Sequence, residues 1–173
     1  MITPAYVQRM ARYNRWQNGN LYGCADQLPD SERKRERGAF FGSLHGTLAH
    51  LLWGDLTWML RFHPTGPAAP PRPANTGFVG LWPDWVDLRN RRAAFDDDIV
   101  GWADQLAPDW LTADLTWTSS DGSRTSTAPK GMLVAHFFNH QTHHRGQVHC
   151  MLTQAGIKPG DTDLPVMEVQ RRG

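Results

Sequence analysis

The stretch HFFNHQTHHRGQVHCMLTQAG, residues 136–156, contains the pattern that decides the fold. Five of the eight histidines of the chain lie between positions 136 and 149. On a helical wheel, with about 100° between successive residues, His140 and His144 lie on the same side as large apolar residues such as Phe137 and Met151. The stretch therefore predicts a core-facing helix that carries two histidines, four residues apart, on its apolar side.

Two imidazoles four residues apart project from one helix face about one turn from each other, so a single metal ion can bind both. Burying two such rings without partners would cost about 1–3 kcal/mol each, and a metal is one way to satisfy them. The alternative is that each ring hydrogen-bonds a side chain or a water molecule across the helices. Gln141 rather than Glu follows the first histidine, so the pattern differs from the HExxH motif of metalloproteases. Both interpretations stay open on the spacing alone.

A metal site needs at least one further ligand, which the helix predicted over residues 39–62 can supply. This helix contains His45, His50 and Asp55 in the stretch GSLHGTLAHLLWGD. Asp55 lies on its apolar side, and His45 lies nearer to the apolar centre than His50 does. Periodicity therefore does not choose among the three side chains.

Helical periodicity predicts four long helices, which together indicate an antiparallel bundle. The helices are expected over residues 3–28, 39–62, 83–106 and 129–155. Two of the connections are long enough to cross the bundle, so a simple up-and-down order is not assured. The fold class is therefore expected to be all-α, a four-helix bundle in a single domain spanning residues 1–173.

The connections carry their own turn and strand signals. Five Pro and two Gly mark residues 63–77 as a loop. Leu115 and Trp117 alternate with polar residues before the turn signal Asp121-Gly122, which predicts a small β-hairpin before the last helix. The chain beyond the last helix is expected to be a docked or frayed tail.

Composition excludes several classes of protein. The chain has 173 residues, 40% of them hydrophobic, with 18 basic and 17 acidic side chains and a formal net charge of +1. This balance gives no general electrostatic reason to bind nucleic acid or an anionic membrane, and no run of about 18 apolar residues exists. Cys24 and Cys150 are too few for a disulfide framework. A cytoplasmic protein with no nucleic-acid partner and no membrane partner is the expectation.

Three stretches of the chain together resemble a known family: ARYNRWQNGNLY (11–22), RGAFFGSLHGTLAHLLWGD (37–55) and HFFNHQTHHRGQVHCMLTQAG (136–156). In the same order, they resemble the DinB family of metal-dependent four-helix-bundle proteins, which is itself similar to bacterial low-molecular-weight thiol S-transferases. The likeness covers nearly the whole chain, and NHQTHHRGQ is its most specific part. The resemblance implies a crossover connection in the bundle, a homodimer, and a role in the stress response.

Carried onto this sequence, the resemblance implies that a divalent transition metal is held by His50, His140 and His144. The choice of His50 over His45 comes from the resemblance alone. All-histidine ligation suits zinc, nickel, copper and iron, and zinc or nickel is the ion we expect.

Five further residues are expected near this metal. Asp55, Gln147 and Asn139 can orient an imidazole by hydrogen bonding to its second ring nitrogen. Tyr13 is expected to line the pocket. Arg145 can bind a carboxylate of a substrate or thiol, or else pair with an acid in the bundle or the dimer.

Three neutral imidazoles leave the charge of a divalent ion uncompensated and at least one coordination position open, as in catalytic sites. Such an ion lowers the pKa of bound water toward about 7, or holds a thiol as its thiolate. The resemblance favours a metal-dependent thiol S-transferase that joins a small-molecule thiol to a small electrophile. The alternatives are a metal-dependent hydrolase and a non-catalytic, stress-related metal-binding protein.

Overall fold

A computed structural model describes residues 2–67, 69, 71, 73 and 77–170 of the chain. These residues form seven α-helices, a 3-10 helix at Gly77–Gly80 and one two-stranded sheet. The α-helices are α1 (Pro4–Asp26), α2 (Asp30–Lys34), α3 (Leu44–Phe62), α4 (Trp85–Asp104), α5 (Pro108–Thr112), α6 (Lys130–Gln154) and α7 (Leu164–Gln170). The strands are β1 (Asp114–Thr118) and β2 (Thr125–Pro129). The prediction of an all-α fold with one small hairpin is confirmed.

The first and last long helices begin and end close to the predicted residues. The side-chain oxygen of Thr3 accepts a hydrogen bond from the backbone N–H of Tyr6 (3.2 Å), and Pro4 occupies the first helical position. Helix α6 begins directly after Pro129 and ends before Gly156, whose φ of 82° is typical of the residue that follows a helix. Local capping signals therefore determine both helices.

The second long helix begins at Leu44 rather than at the predicted residue 39. Ala39 and Gly42 pair as an isolated β-bridge, and the φ of Gly42 is 74°, a left-handed conformation that favours glycine. Ser43 then caps α3 by accepting a hydrogen bond from the backbone N–H of Gly46 (3.0 Å). The apolar residues before Ser43 continue the hydrophobic pattern but not the helical backbone, so periodicity alone placed the start too early.

The predicted hairpin is confirmed as β1 and β2, which pair antiparallel from Asp114 opposite Pro129 to Thr118 opposite Thr125. Two short helices, α5 and α7, are not predicted by the sequence, because neither is long enough to show a periodic apolar face. Helix α7 lies in the segment expected to be a tail. Part of the predicted loop, at positions 68, 70, 72 and 74–76, lies outside the described residues.

The four long helices pack so that α3 and α6 are neighbours. Helix α1 packs against α4 and α6, and α3 packs against α6 and α4. Because α1 and α3 follow each other in the chain yet lie diagonally across the bundle, the segment that contains α2 crosses one end of it. This arrangement confirms the predicted four-helix bundle with a crossover connection. None of the helices in the described part of the chain has the length and apolarity needed to cross a lipid bilayer.

Candidate metal centre

Three histidines from two helices converge in the core of the bundle. His50 comes from α3, and His140 and His144 come from α6; we call these three the histidine triad. Ring nitrogens of the three residues all lie within 4.8 Å of one another, and the Nε2 atoms of His50 and His140 are 3.1 Å apart. His50 and His144 are 7% and 8% exposed, and His140 is half-buried. A single ion placed among these nitrogens can reach all three rings.

The other histidine of α3 has a different surrounding. His45 is fully buried, and its Nε2 lies 2.7 Å from the carbonyl oxygen of Trp82, to which it can donate a hydrogen bond. Burial lowers the pKa of His45, and the hydrogen bond to Trp82 opposes part of that effect. The tertiary structure therefore places His50, and not His45, beside His140 and His144, a choice that periodicity left open.

Gln147 determines the orientation of one imidazole of the triad. Its Oε1 atom lies 2.7 Å from Nδ1 of His144 and accepts a hydrogen bond from that nitrogen. A neutral imidazole carries one N–H, so donation from Nδ1 leaves the lone pair on Nε2, the nitrogen available to a metal. Hydrogen bonds of this type orient most metal-binding histidines in proteins.

Gly54 lets α3 approach His140 closely. A Cβ atom built at Gly54 would lie 3.0 Å from Cε1 of His140, which is closer than nearly all Cβ contacts in proteins. A larger side chain at this position would require the imidazole to shift by a few tenths of an ångström. Gly54 is not among the sequence-predicted residues, although a glycine inside a strongly apolar helix can indicate close packing.

Aromatic side chains surround the triad on the α3 side. The ring of Phe41 stacks on His50 at a centroid distance of 3.7 Å, and Phe78 meets the same imidazole edge-on at 4.8 Å. The ring centroid of Trp53 lies 6.2 Å from the ring centroid of His50. The sequence analysis missed Phe41 and Phe78, because each lies outside a long helix and only the folded chain brings it to the site. These rings exclude water from one side of the histidines.

Burial has a direct electrostatic effect on the triad. Burial, together with the neighbouring His144, lowers the pKa of His140 to about 3. Burial also lowers the pKa of His144, although its hydrogen bond to Gln147 acts in the opposite direction. Both imidazoles are therefore neutral at pH 7, and the neutral imidazole is the form that binds a metal.

The five residues that were expected near the metal differ in their distance from the triad and in their hydrogen-bond partners. The carboxylate of Asp55 accepts a hydrogen bond from Nη1 of Arg92 at 2.6 Å, and Asn139 is exposed. The hydroxyl of Tyr13 donates a hydrogen bond to the carbonyl oxygen of Thr162 (2.6 Å). Arg145 is buried with its guanidinium 5.5 Å from the centre of the Tyr13 ring, between α6 and α1. Of the five residues, Gln147 forms a hydrogen bond with a histidine of the triad.

A second buried polar cluster lies in the same bundle, and we call its four members the ionic network. Arg92 on α4 forms ion pairs with Asp55 (2.6 Å) and Asp96 (2.8 Å). Asn18 on α1 donates a hydrogen bond to Asp96 at 2.9 Å. Burial raises the pKa of Asp55 to about 6, while the charge of Arg92 opposes the rise, so this carboxylate is ionised at neutral pH. The network joins α1, α3 and α4.

Comparison with known proteins supports the metal-binding interpretation of the triad. The model of the DinB family matches residues 1–172, essentially the whole chain. A search of curated proteins found no matching relative. Family membership and the three-histidine cluster together fit a metal-binding, DinB-like protein.

Proposed function

Because the chain belongs to the DinB family and contains a buried histidine triad, we propose that it is a metal-dependent thiol S-transferase acting on small electrophiles. In this proposal His50, His140 and His144 are the metal ligands, and zinc or nickel is the ion. The observation that carries the proposal is the convergence of three ring nitrogens within 4.8 Å of one another. The similarity of the family to bacterial thiol S-transferases supports the choice of reaction.

The donor set suits a catalytic ion better than a structural one. Structural zinc sites usually have four protein ligands, whereas catalytic sites have three and keep a position open. A divalent ion bound here would lower the pKa of a coordinated thiol, so that the thiol is present as the nucleophilic thiolate. Three neutral imidazoles add no negative charge, which favours binding of an anionic sulfur.

The residues around the triad prepare it for this role. Gln147 accepts a hydrogen bond from Nδ1 of His144. This hydrogen bond leaves the lone pair of His144 on Nε2, on the side of the ring away from the glutamine. Phe41 and Phe78 cover His50 and make the surroundings less polar, which strengthens electrostatic interactions inside the site. Transfer would form a bond between the thiol sulfur and an electrophilic carbon of the second substrate. The thiol proton would pass to solvent, and the leaving group would depart from that carbon with the electron pair of the broken bond.

Elemental mass spectrometry on untagged protein tests the metal site first. We expect about one divalent ion per chain in the wild type and a loss of most of it in His140→Ala and in His144→Ala. The matched control is His143→Ala, because His143 is the exposed neighbour of His144 on the same helix. Metal retained in both triad variants, or absent from wild type after reconstitution with zinc and nickel, would overturn the proposal.

A conjugation assay then tests the reaction. The metal-loaded protein is incubated with mycothiol, bacillithiol or glutathione and a small electrophile, and the thioether product is quantified by mass spectrometry. We expect the wild type to accelerate conjugation with at least one thiol, and His140→Ala to show no acceleration. Metal-dependent hydrolysis of the electrophile without conjugation would instead support the hydrolase. The absence of both reactions would support the non-catalytic metal-binding protein.

The expected homodimer and the single-domain organisation stay predictions.

A further inference from the structure

Arg145 is a buried cation with few partners. Its side chain lies on α6 and is only 5% exposed. Nη2 donates a hydrogen bond to the hydroxyl of Thr142 at 3.3 Å, and Nη1 has no hydrogen-bond partner among the described residues. The buried carboxylates of Asp55 and Asp96 are both paired with Arg92 instead. Asp55 and Asp96 stabilise the charge of Arg145 only from a distance, so this guanidinium lacks a direct carboxylate partner, which is unfavourable for a buried charge.

Arg145 is one of the residues that line a cavity. Its volume is about 290 Å³, and Arg145, Thr142 and Gly146 of α6 line it on one side. Leu21 and Tyr13 of α1 line it on the other side. At about 30 Å³ for each water molecule, the cavity has room for roughly ten non-hydrogen atoms.

The cavity walls are held in place by hydrogen bonds that do not involve Arg145. The Tyr13 hydroxyl donates to the carbonyl oxygen of Thr162 at 2.6 Å, and Gln17 Nε2 donates to the carbonyl oxygen of Asp161 at 2.9 Å. The segment between α6 and α7 is thereby fastened to α1. The ring face of Tyr13 also lies 5.5 Å from the guanidinium carbon of Arg145, which holds the planar group against the cavity wall.

We propose that this cavity binds a small organic carboxylate, whose oxygens pair with the Arg145 guanidinium while its carbon chain packs against Leu21 and the Tyr13 ring. The planar fork of an arginine matches the two oxygens of a carboxylate. The apolar part of the lining favours an organic acid over a purely inorganic oxyanion such as phosphate.

The proposed carboxylate site is separate from the histidine triad. On α6, Thr142 and Gly146 lie on the side of the helix opposite His140 and His144, at about 100° per residue. The triad is formed by residues of α3 and α6, whereas the cavity is lined by residues of α1 and α6. The two proposals therefore stand or fall independently.

Thermal unfolding of the full chain in sodium butyrate tests the site, with sodium chloride and inorganic phosphate at the same ionic strength as comparisons. We expect butyrate to raise the melting temperature in a saturable way, by about 3–6 °C at ten times its Kd. Chloride is expected to produce no such rise. A larger saturable rise with phosphate than with butyrate would overturn the assignment to an organic carboxylate.

Two variants remove the site in different ways. Arg145→Met removes the cation and is expected to abolish the butyrate effect. Gly146→Leu leaves Arg145 intact and fills the cavity, since a Cβ at Gly146 meets no atom within 4 Å. It is expected to reduce the butyrate effect at least tenfold in apparent affinity, whereas the smaller Gly146→Ala retains it.

His140→Ala separates the two proposed sites. We expect this variant to lose its metal but to keep the full butyrate effect, because His140 does not line the cavity. An undiminished butyrate effect in Arg145→Met, or in Gly146→Leu if Arg145→Met does not fold, would overturn the proposal. A wild-type protein that butyrate does not stabilise would overturn it as well.

Discussion

The histidine triad and the ionic network are two buried polar clusters in one bundle, and they differ in what completes them. In the ionic network Arg92 lies between Asp55 and Asp96, at 2.6 Å and 2.8 Å, so each charge has an opposite charge beside it. The triad instead contains three groups of the same kind, all imidazoles, and the Nε2 atoms of His50 and His140 are 3.1 Å apart. Neutral imidazoles do not attract one another as a cation and its carboxylate partners do, although His50 and His140 lie within hydrogen-bonding distance.

This difference indicates how buried polar groups can be divided between structural and functional roles. A cluster that contains opposite charges side by side fastens helices together, as the ionic network joins α1, α3 and α4. A cluster of ring nitrogens that lie close together can instead bind a further species, such as a metal ion. The proposed metal follows from the second case. The following four experiments test the distinction, from the largest expected effect to the smallest.

The ionic network is broken by Arg92→Ala, which leaves two buried carboxylates without their cation. We expect the free energy of unfolding to fall by about 3–5 kcal/mol, measured by urea denaturation. Arg91→Ala is the matched control on the same helix, because its ion pair with Asp87 is exposed and worth less than about 1 kcal/mol. Equal losses in the two variants would show that the network does not stabilise the bundle.

The triad is weakened, without removing a histidine, by Gln147→Leu. His144 loses the acceptor for its Nδ1 proton, so we expect metal affinity to fall about 10- to 100-fold in competition with a chromophoric chelator. Gln154→Leu is the control, since Gln154 is an exposed glutamine of the same helix that contacts Cys150 rather than a histidine. An unchanged affinity in Gln147→Leu would contradict the orienting role.

The fit between α3 and α6 is changed by Gly54→Ala. The added Cβ would displace His140, and we expect metal affinity to fall about tenfold. Alanine in a helix is otherwise more favourable than glycine by about 0.5–1 kcal/mol, so metal binding and stability of the metal-free protein are expected to change separately.

Gly101→Ala on α4 is the control for this substitution, because a Cβ there meets no atom within 4 Å. It is expected to leave metal affinity unchanged. If Gly54→Ala binds metal as tightly as Gly101→Ala does, close approach at Gly54 has no role in the site.

The smallest effect concerns His45, a histidine that the protein satisfies internally. Burial lowers its pKa in the folded state, so near and below about pH 6.5 the unfolded chain binds more protons than the folded one. The contribution of neutral His45 to the free energy of unfolding is therefore fully present above about pH 6.5. This contribution is lost as the pH falls, by at most about 1.4 kcal/mol per pH unit. We expect metal-free His45→Gln to lose less unfolding free energy than wild type between pH 6.5 and pH 5. Parallel curves for the two proteins would exclude His45 as a source of the acid sensitivity.

Much of the fold could be predicted from local patterns. The capping signals at Thr3 and Pro129, and the alternation around Leu115 and Trp117, determined α1, α6 and the hairpin, because these signals act within a few residues of the chain. The start of α3 could not be predicted in the same way. Its apolar pattern extends through residues 39–42, where the backbone turns at Gly42.

The site was partly predictable for the same physical reason. His140 and His144 are one helical turn apart, so their common face follows from the helix itself. Gln147 lies three residues from His144 on that helix, and its hydrogen bond is equally local. His50, Phe41 and Phe78 come from other segments, and no local spacing connects them to α6.

The sequence by itself determined the helical architecture and the pair of histidines on α6, since both depend on periodicity along one segment. Periodicity left His45 and His50 undecided, and the tertiary structure places His50 beside the two histidines of α6. Only the tertiary structure paired Asp55 with Arg92 and left Arg145 beside a cavity. These outcomes depend on which helix faces become neighbours and how deeply each side chain is buried. Packing across the bundle sets both, and it involves residues far apart in the chain.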